Sequence, residues 1–164
     1  MTDLYDEIQT VADRYPVRRS AVIPALRLAQ ERYGWLPPDA FRDVAEALEL
    51  TPAYCRSVAS FYDMFYLEPV GACVVEVCTN ISCALVGAQP VLEALESELG
   101  VHAGSTTDDG EFTLRAVECA GACGWAPVVT VNNRYRHNVQ PEAIPDLVAG
   151  LRGEDATPPE EEGE

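Results

Sequence analysis

The hydrophobic period changes once along this chain, at Glu68-Pro69-Val70-Gly71, and the change demands a different kind of structure on each side. Before it, apolar residues recur every three to four positions, the spacing of one helix face. Leu4, Ile8 and Val11 form a first series, with Thr2 as its cap. Tyr15-Pro16 ends it, because the residue before a proline is pushed out of the α region. Ser20 caps a second helix that presents Leu26, Ala29 and Tyr33 and stops at Gly34. Pro37-Pro38 opens a third with Phe41, Val44, Ala45 and Leu48 as its stripe, and Thr51-Pro52 opens a fourth that runs toward Phe65. Four short helices with short connections predict a small bundle over residues 1–68.

Beyond the change, Cys73-Val-Val-Glu-Val-Cys78 is apolar and β-branched and reads as a strand. A helical stretch with Val91, Leu92, Leu95 and Leu99 on its core face follows and ends at Gly100. The segment 104–110 is polar and carries an Asp-Asp-Gly turn signal, and Phe112-Thr-Leu-Arg-Ala-Val117 alternates like a strand. Val128-Val-Thr-Val131, Asn132-Asn133 and residues 134–139 predict a hairpin with a tight turn. Gln140-Pro141 opens a last helix to Leu151. Pro90 and Pro145 fall inside the predicted helices and are expected to shorten or kink them. A strand, a helix, a strand, a hairpin and a last helix make residues 69–152 a small α/β layer. Residues 153–164 hold six acidic and no basic side chains and are expected to be a disordered acidic tail.

Charge and hydropathy remove several classes of function. With a net charge of −16, the surface repels phosphate backbones and anionic lipid, so no nucleic-acid partner is expected. The same charge suits steered docking on a basic partner, or an unremarked acidic surface. The longest uncharged run, Val77 to Leu92, is sixteen residues with polar members, short of the roughly 20 apolar residues of a spanning helix. No direct membrane insertion is therefore expected. The first residues have neither the basic nor the apolar region of a secretory signal, which points to a reducing, cytoplasmic setting. There the six cysteines are not a disulfide framework, and metal or redox chemistry becomes their leading explanation.

Four of the six form two close pairs. Cys78-Thr-Asn-Ile-Ser-Cys83 and Cys119-Ala-Gly-Ala-Cys123 each lie where a predicted strand gives way to a loop. Brought together, the two turns present four thiolates to one site. A [2Fe–2S] group on four thiolates carries a charge of about −2, and about −3 when reduced, so it needs backbone N–H donors. Gly121, Ala122 and Gly124 leave that approach open, while Ile81, Ala84 and Pro127 are expected to limit water. Both spacings also permit a structural zinc, and the residues alone leave the metal open. A dithiol redox site is weaker, because no C-x-x-C occurs. Cys73 sits five positions from Cys78 in a strand and so faces the other side, which makes it a small core residue, as is Cys55 in its helix. His102 and His137 are isolated from the cysteine loops and read as ordinary surface or strand residues.

At these residues the sequence resembles a known family. Ile23-Pro-Ala-Leu-Arg-Leu-Ala-Gln-Glu-Arg-Tyr-Gly-Trp-Leu36, Val58-Ala-Ser-Phe-Tyr-Asp-Met-Phe65, Val77-Cys-Thr-Asn-Ile-Ser-Cys83 with Gly87-Ala88, Phe112-Thr-Leu114 and Val117-Glu-Cys-Ala-Gly-Ala-Cys-Gly-Trp-Ala-Pro-Val-Val129 resemble the E-type, thioredoxin-like [2Fe–2S] subunit of NADH-quinone oxidoreductases. The resemblance implies an α+β fold, an N-terminal helical bundle followed by a thioredoxin-like [2Fe–2S] ferredoxin domain. It places the ligands of one [2Fe–2S] cluster on Cys78, Cys83, Cys119 and Cys123. It also implies a flavoprotein partner that carries FMN and NAD(H), and a position on the cytoplasmic face of the inner membrane through the complex. The chain would serve an oxidoreductase without being catalytic alone. Corresponding chains of NAD-linked formate dehydrogenases and NAD-reducing hydrogenases share the motifs, and a zinc-stabilised interaction module is the reading from another class. No glycine-rich dinucleotide fingerprint or paired catalytic carboxylates occur, in keeping with hydride chemistry on the partner. The helical segment is expected either to dock that partner or to cover one face of the α/β domain.

Overall fold

The computed structural model describes residues 3–153. The chain divides into two compact units, Met1–Pro69 and Val70–Glu164.

In the first unit, α1 (Leu4–Ala12), α2 (Val22–Tyr33), α3 (Pro38–Leu48) and α4 (Pro52–Ala59) close around one apolar core. Ile8, Leu26, Leu36, Val44 and Leu48 are its largest fully buried members. The proposed cap Thr2 lies outside the described residues; the residue preceding α1 is Asp3. Ser20 caps nothing: it lies in a 3-10 turn, Arg18–Ala21, from which α2 continues directly. Gly34 ends α2 at φ 80°, a left-handed conformation that favours glycine. The fourth helix stops at Ala59, six residues before the expected Phe65. The Gln30 side chain on α2 explains this, since it donates to the Met64 carbonyl and accepts from the Tyr66 N–H. Together with the Leu36 N–H donating to the Tyr66 carbonyl, it draws this segment out of the helix and along the end of α2.

The second unit is a five-stranded sheet in the order β2-β3-β1-β4-β5. Its elements are β1 (Cys73–Cys78), α5 (Ile81–Leu85), α6 (Ala88–Leu99), β2 (Ser105–Thr106), β3 (Phe112–Val117), β4 (Val129–Val131), β5 (Arg134–Arg136) and α7 (Ile144–Gly153). Two of these elements, α5 and the two-residue β2, were not anticipated, being too short for a period to register. Parallel neighbours β1 and β3 are joined by the α5–α6 crossover, and the other pairings are antiparallel. Asn132 and Asn133 make the tight turn between β4 and β5 with φ of 48° and 63°, the left-handed pair of a type I′ turn. Gly71 runs so close to β3 that a Cβ there would lie 2.8 Å from the Phe112 carbonyl carbon.

Neither suspect proline breaks its helix. Pro90 is the third residue of α6 and Pro145 the second of α7, first-turn positions where an N–H has no helical partner. Pro145 does delay its helix. Residues Pro141–Ala143 form a 3-10 turn in which the Ile144 N–H takes the Pro141 carbonyl that Pro145 has no N–H to reach.

Candidate metal centre

Parallel pairing of β1 and β3 in the register Cys78↔Val117 makes both strands end at the same edge of the sheet. Outside the carboxyl ends of parallel strands is where open α/β sheets bind ligands. The two exits stay together beyond the sheet, with the Thr79 N–H donating to the Val117 carbonyl and the Asn80 N–H to the Glu118 carbonyl. The Asn80 side chain then starts α5, accepting from the Ile81 N–H at 2.9 Å and donating to a Glu118 carboxylate oxygen at 3.1 Å. The short helix turns Cys83 back toward Cys78.

Cys78 and Cys83 are buried, with Ala88, Ala122 and Val128 packed around them. Cys119 and Cys123 are exposed, and their sulfurs lie 3.9 Å apart. Three of the sulfurs have environments that follow from this placement. Burial pushes the Cys78 thiol up, but the backbone N–H groups of Ala120 and Asn80 and the Cys83 thiol donate to its sulfur, and the net shift is downward. Burial holds Cys83 above the ordinary thiol value, reinforced by its hydrogen bond to Cys78 and by the charges of Cys78 and Cys123, while the Val128 N–H opposes the shift. The Gly121 N–H donates to the Cys119 sulfur at 3.4 Å, with Gly121 at φ 80°. Cys78 meets Cys83, Cys119 meets Cys123, and the Ala120 N–H on the Cys78 sulfur joins the two loops.

The donor set, thiols with backbone N–H groups on the sulfurs, has the chemistry of an iron–sulfur site. A tetrahedral metal with sulfur ligands at about 2.3 Å needs sulfurs about 3.8 Å apart, the separation of the Cys119 and Cys123 thiols within a tenth or so of an ångström. Among the described residues no three His, Cys, Asp or Glu side chains converge on a single ion. Each close contact is a pair of thiols, and backbone N–H groups already aim at the sulfurs, as a multiply charged group requires.

The other candidates stand elsewhere. Cys73 belongs to the main sheet core on the opposite face from Cys78, and burial, followed by the charge of Glu111, pushes its thiol up to about 11. Cys55 is wholly buried in the helical core, and burial raises its thiol too. His102 is exposed beside Glu96. His137 is nearer the site than its sequence position suggests. Its ring stacks on Trp125, two residues past Cys123, at 5.1 Å between centroids, and on Tyr135 at 5.8 Å. The Tyr135 hydroxyl donates to the Ala120 carbonyl at 2.7 Å, inside the second cysteine loop. Sequence reasoning missed Tyr135; the tight Asn132-Asn133 turn was the one signal that residues 134–137 fold back on that loop.

Comparisons with known proteins give the family and the fold. The sequence profile of the thioredoxin-like [2Fe-2S] ferredoxin family matches residues 8–152. The second E-type subunit of the NADH-quinone oxidoreductases of Rhizobium meliloti is 42% identical over 147 residues, 90% of this chain and 88% of that protein. The E-type subunit of the NADH-quinone oxidoreductase of Mycobacterium tuberculosis is 42% identical over 148 residues; they make up 90% of this chain and 59% of that longer protein. Of solved structures, the NAD+-reducing [NiFe]-hydrogenase in its air-oxidised state aligns with a TM-score of 0.70 at 21% identity, over 80% of this chain and 22% of that one. That likeness concerns the fold.

Proposed function

Because the chain belongs to the thioredoxin-like [2Fe-2S] ferredoxin family, we propose that it is the electron-transfer subunit of the NADH-oxidising part of an NADH-quinone oxidoreductase, with Cys78, Cys83, Cys119 and Cys123 holding one [2Fe–2S] cluster. The observation that carries this reading is the meeting of two cysteine loops at one end of β1 and β3, with backbone donors on the sulfurs. Such a cluster, when bound, supplies a one-electron couple. The chain's own residues set the conditions for it. Ala88, Ala122 and Val128 keep water from the Cys78 and Cys83 sulfurs, and the N–H groups of Asn80, Ala120, Gly121 and Val128 balance negative charge there.

Around the loops stand exposed apolar side chains: Ile81, Leu85 and Val86 beside Cys83, and Trp125 beside Cys123. Leu85 is 81% exposed. Clustered exposed apolar side chains mark contact surfaces, and these suit the FMN- and NAD(H)-binding flavoprotein partner. Hydride chemistry belongs to that partner, and the chain alone does not oxidise NADH. The chain is placed at the cytoplasmic face of the membrane through that complex; among the described residues no helix is long and apolar enough to cross a membrane.

Single Cys→Ser replacements test the site. Replacing Cys78, Cys83, Cys119 or Cys123 is expected to lower iron and acid-labile sulfide and to abolish or alter the electron paramagnetic resonance signal of the dithionite-reduced protein. Replacing Cys55 or Cys73 leaves both unchanged. Full iron and sulfide in all four site variants would overturn the assignment.

A further inference from the structure

The peptide between Ala120 and Gly121 has hydrogen bonds at both of its ends. Its carbonyl oxygen accepts from the Tyr135 hydroxyl at 2.7 Å, and its N–H donates to the Cys119 sulfur at 3.4 Å. Tyr135 is the central residue of β5, opposite Thr130 of β4, so the sheet fixes its backbone. Its ring is held on the His137 ring, which is stacked in turn on Trp125. Two residues past the strand, the Asn138 N–H donates to the Trp125 carbonyl. A rigid hairpin thus delivers one hydroxyl to one carbonyl of the cysteine loop. Gly121 adopts φ 80°, which turns its N–H onto the sulfur; a Cβ there would meet nothing within 4 Å, so its need is for the conformation and not for room.

Hydrogen bonds in series polarise one another. A donor on an amide oxygen draws electron density through the conjugated C–N bond and makes the N–H a stronger donor. Donors to ligand sulfur stabilise negative charge, and they do so more for the reduced site, which carries one more electron, than for the oxidised one. Resting on the cluster reading above, we propose that Tyr135 is a positioning residue that raises the reduction potential of the site by polarising the Ala120–Gly121 peptide against Cys119. It acts through that peptide, by way of the Ala120 carbonyl.

The size of the effect follows from the bonds involved. Cooperativity alters a hydrogen bond to a charged acceptor by roughly 10–30% of its strength. Loss of the hydroxyl is therefore expected to lower the reduced-to-oxidised ratio at a fixed ambient potential by at most about fivefold. At 59 mV per decade for one electron, that is a fall of at most about 40 mV.

Tyr135→Phe keeps the ring and its stack and removes only the hydroxyl. The full-length chain and this variant would be purified, assayed for iron and acid-labile sulfide, and titrated potentiometrically by visible absorption, with Tyr5→Phe in α1 as control. Unchanged iron and sulfide with a lowered potential in Tyr135→Phe alone is the expected result. Global 3-fluorotyrosine labelling, which makes the phenol a stronger donor, should move the potential upward in the wild type and leave it still in Tyr135→Phe. A cluster-loaded Tyr135→Phe with the wild-type potential overturns the proposal. So does a wild-type potential unmoved by fluorotyrosine, whatever becomes of the phenylalanine variant. A wild type that carries no iron and sulfide overturns the cluster reading itself, so the two failures are told apart by analysis before any potential is measured.

Discussion

The helical unit and the sheet unit bury their side chains to different ends. In the first, one continuous cluster runs from Leu4 to Phe65, and every buried member serves packing. In the second, burial is split. Phe112, Val75, Val77, Leu95 and Ile144 form a dense core on one face of the sheet, while Cys78 and Cys83 anchor a separate cluster with nothing larger than valine around them. Small side chains around thiols leave contacts and charge to be completed by whatever the thiols hold. One unit carries its stability in its own atoms, and the other concedes part of it at the end where it works.

The largest test of that contrast compares two wholly buried side chains. Phe112→Ala is expected to cost about 3–5 kcal/mol and Leu26→Ala about 2–5 kcal/mol. Urea unfolding followed by visible absorption reads the first, and far-ultraviolet circular dichroism reads the second. A cost below about 1 kcal/mol at Phe112 would mean that the sheet core relaxes as readily as the cysteine end, and the contrast inside that unit would fail.

The same contrast explains how much the sequence revealed. Helices α1 to α3 and the strands β1 and β3 were legible because their apolar period is set by burial on one face. The paired cysteines stood out in the sequence because each pair falls where a strand gives way to a loop. What escaped was decided by single polar contacts across long sequence separations. Gln30 ends α4 early by binding Met64 and Tyr66, and Tyr135 reaches Ala120 across fifteen residues. No local period records such contacts. The two prolines misled for the opposite reason: their local cost is real, but it vanishes in a first turn, and only the helix boundary decides which case applies.

Each unit also buries one cysteine that takes no part in the site, and Cys73 gives the next measurable effect. Burial first, and the charge of Glu111 second, push its thiol from an ordinary 9.0 to about 11. Between these values the native state keeps a proton that the unfolded chain has released, so stability falls as pH rises through that window and is fully present below it. The slope is up to about 1.4 kcal/mol per pH unit. Cys73→Ala should lose this part of the alkaline slope while shifting stability at neutral pH by a constant amount. Parallel curves for the two proteins from pH 9 to 11 would show that Cys73 titrates as if exposed.

The smallest effect separates two helix caps of similar chemistry. Thr51 accepts the Tyr54 N–H at 3.2 Å and starts α4 inside the helical unit. Asn80 accepts the Ile81 N–H and starts the five-residue α5, while its amide also ties Glu118. Removing either cap by alanine is expected to cost about 1 kcal/mol of folding stability. Only Asn80→Ala also loosens the path from Cys78 to Cys83, so only that variant should lose iron faster to a chelator, read as the decay of visible absorption. Equal decay in both variants would mean that the cysteine end draws its order from the whole chain, and the difference between the two units would be one of composition alone.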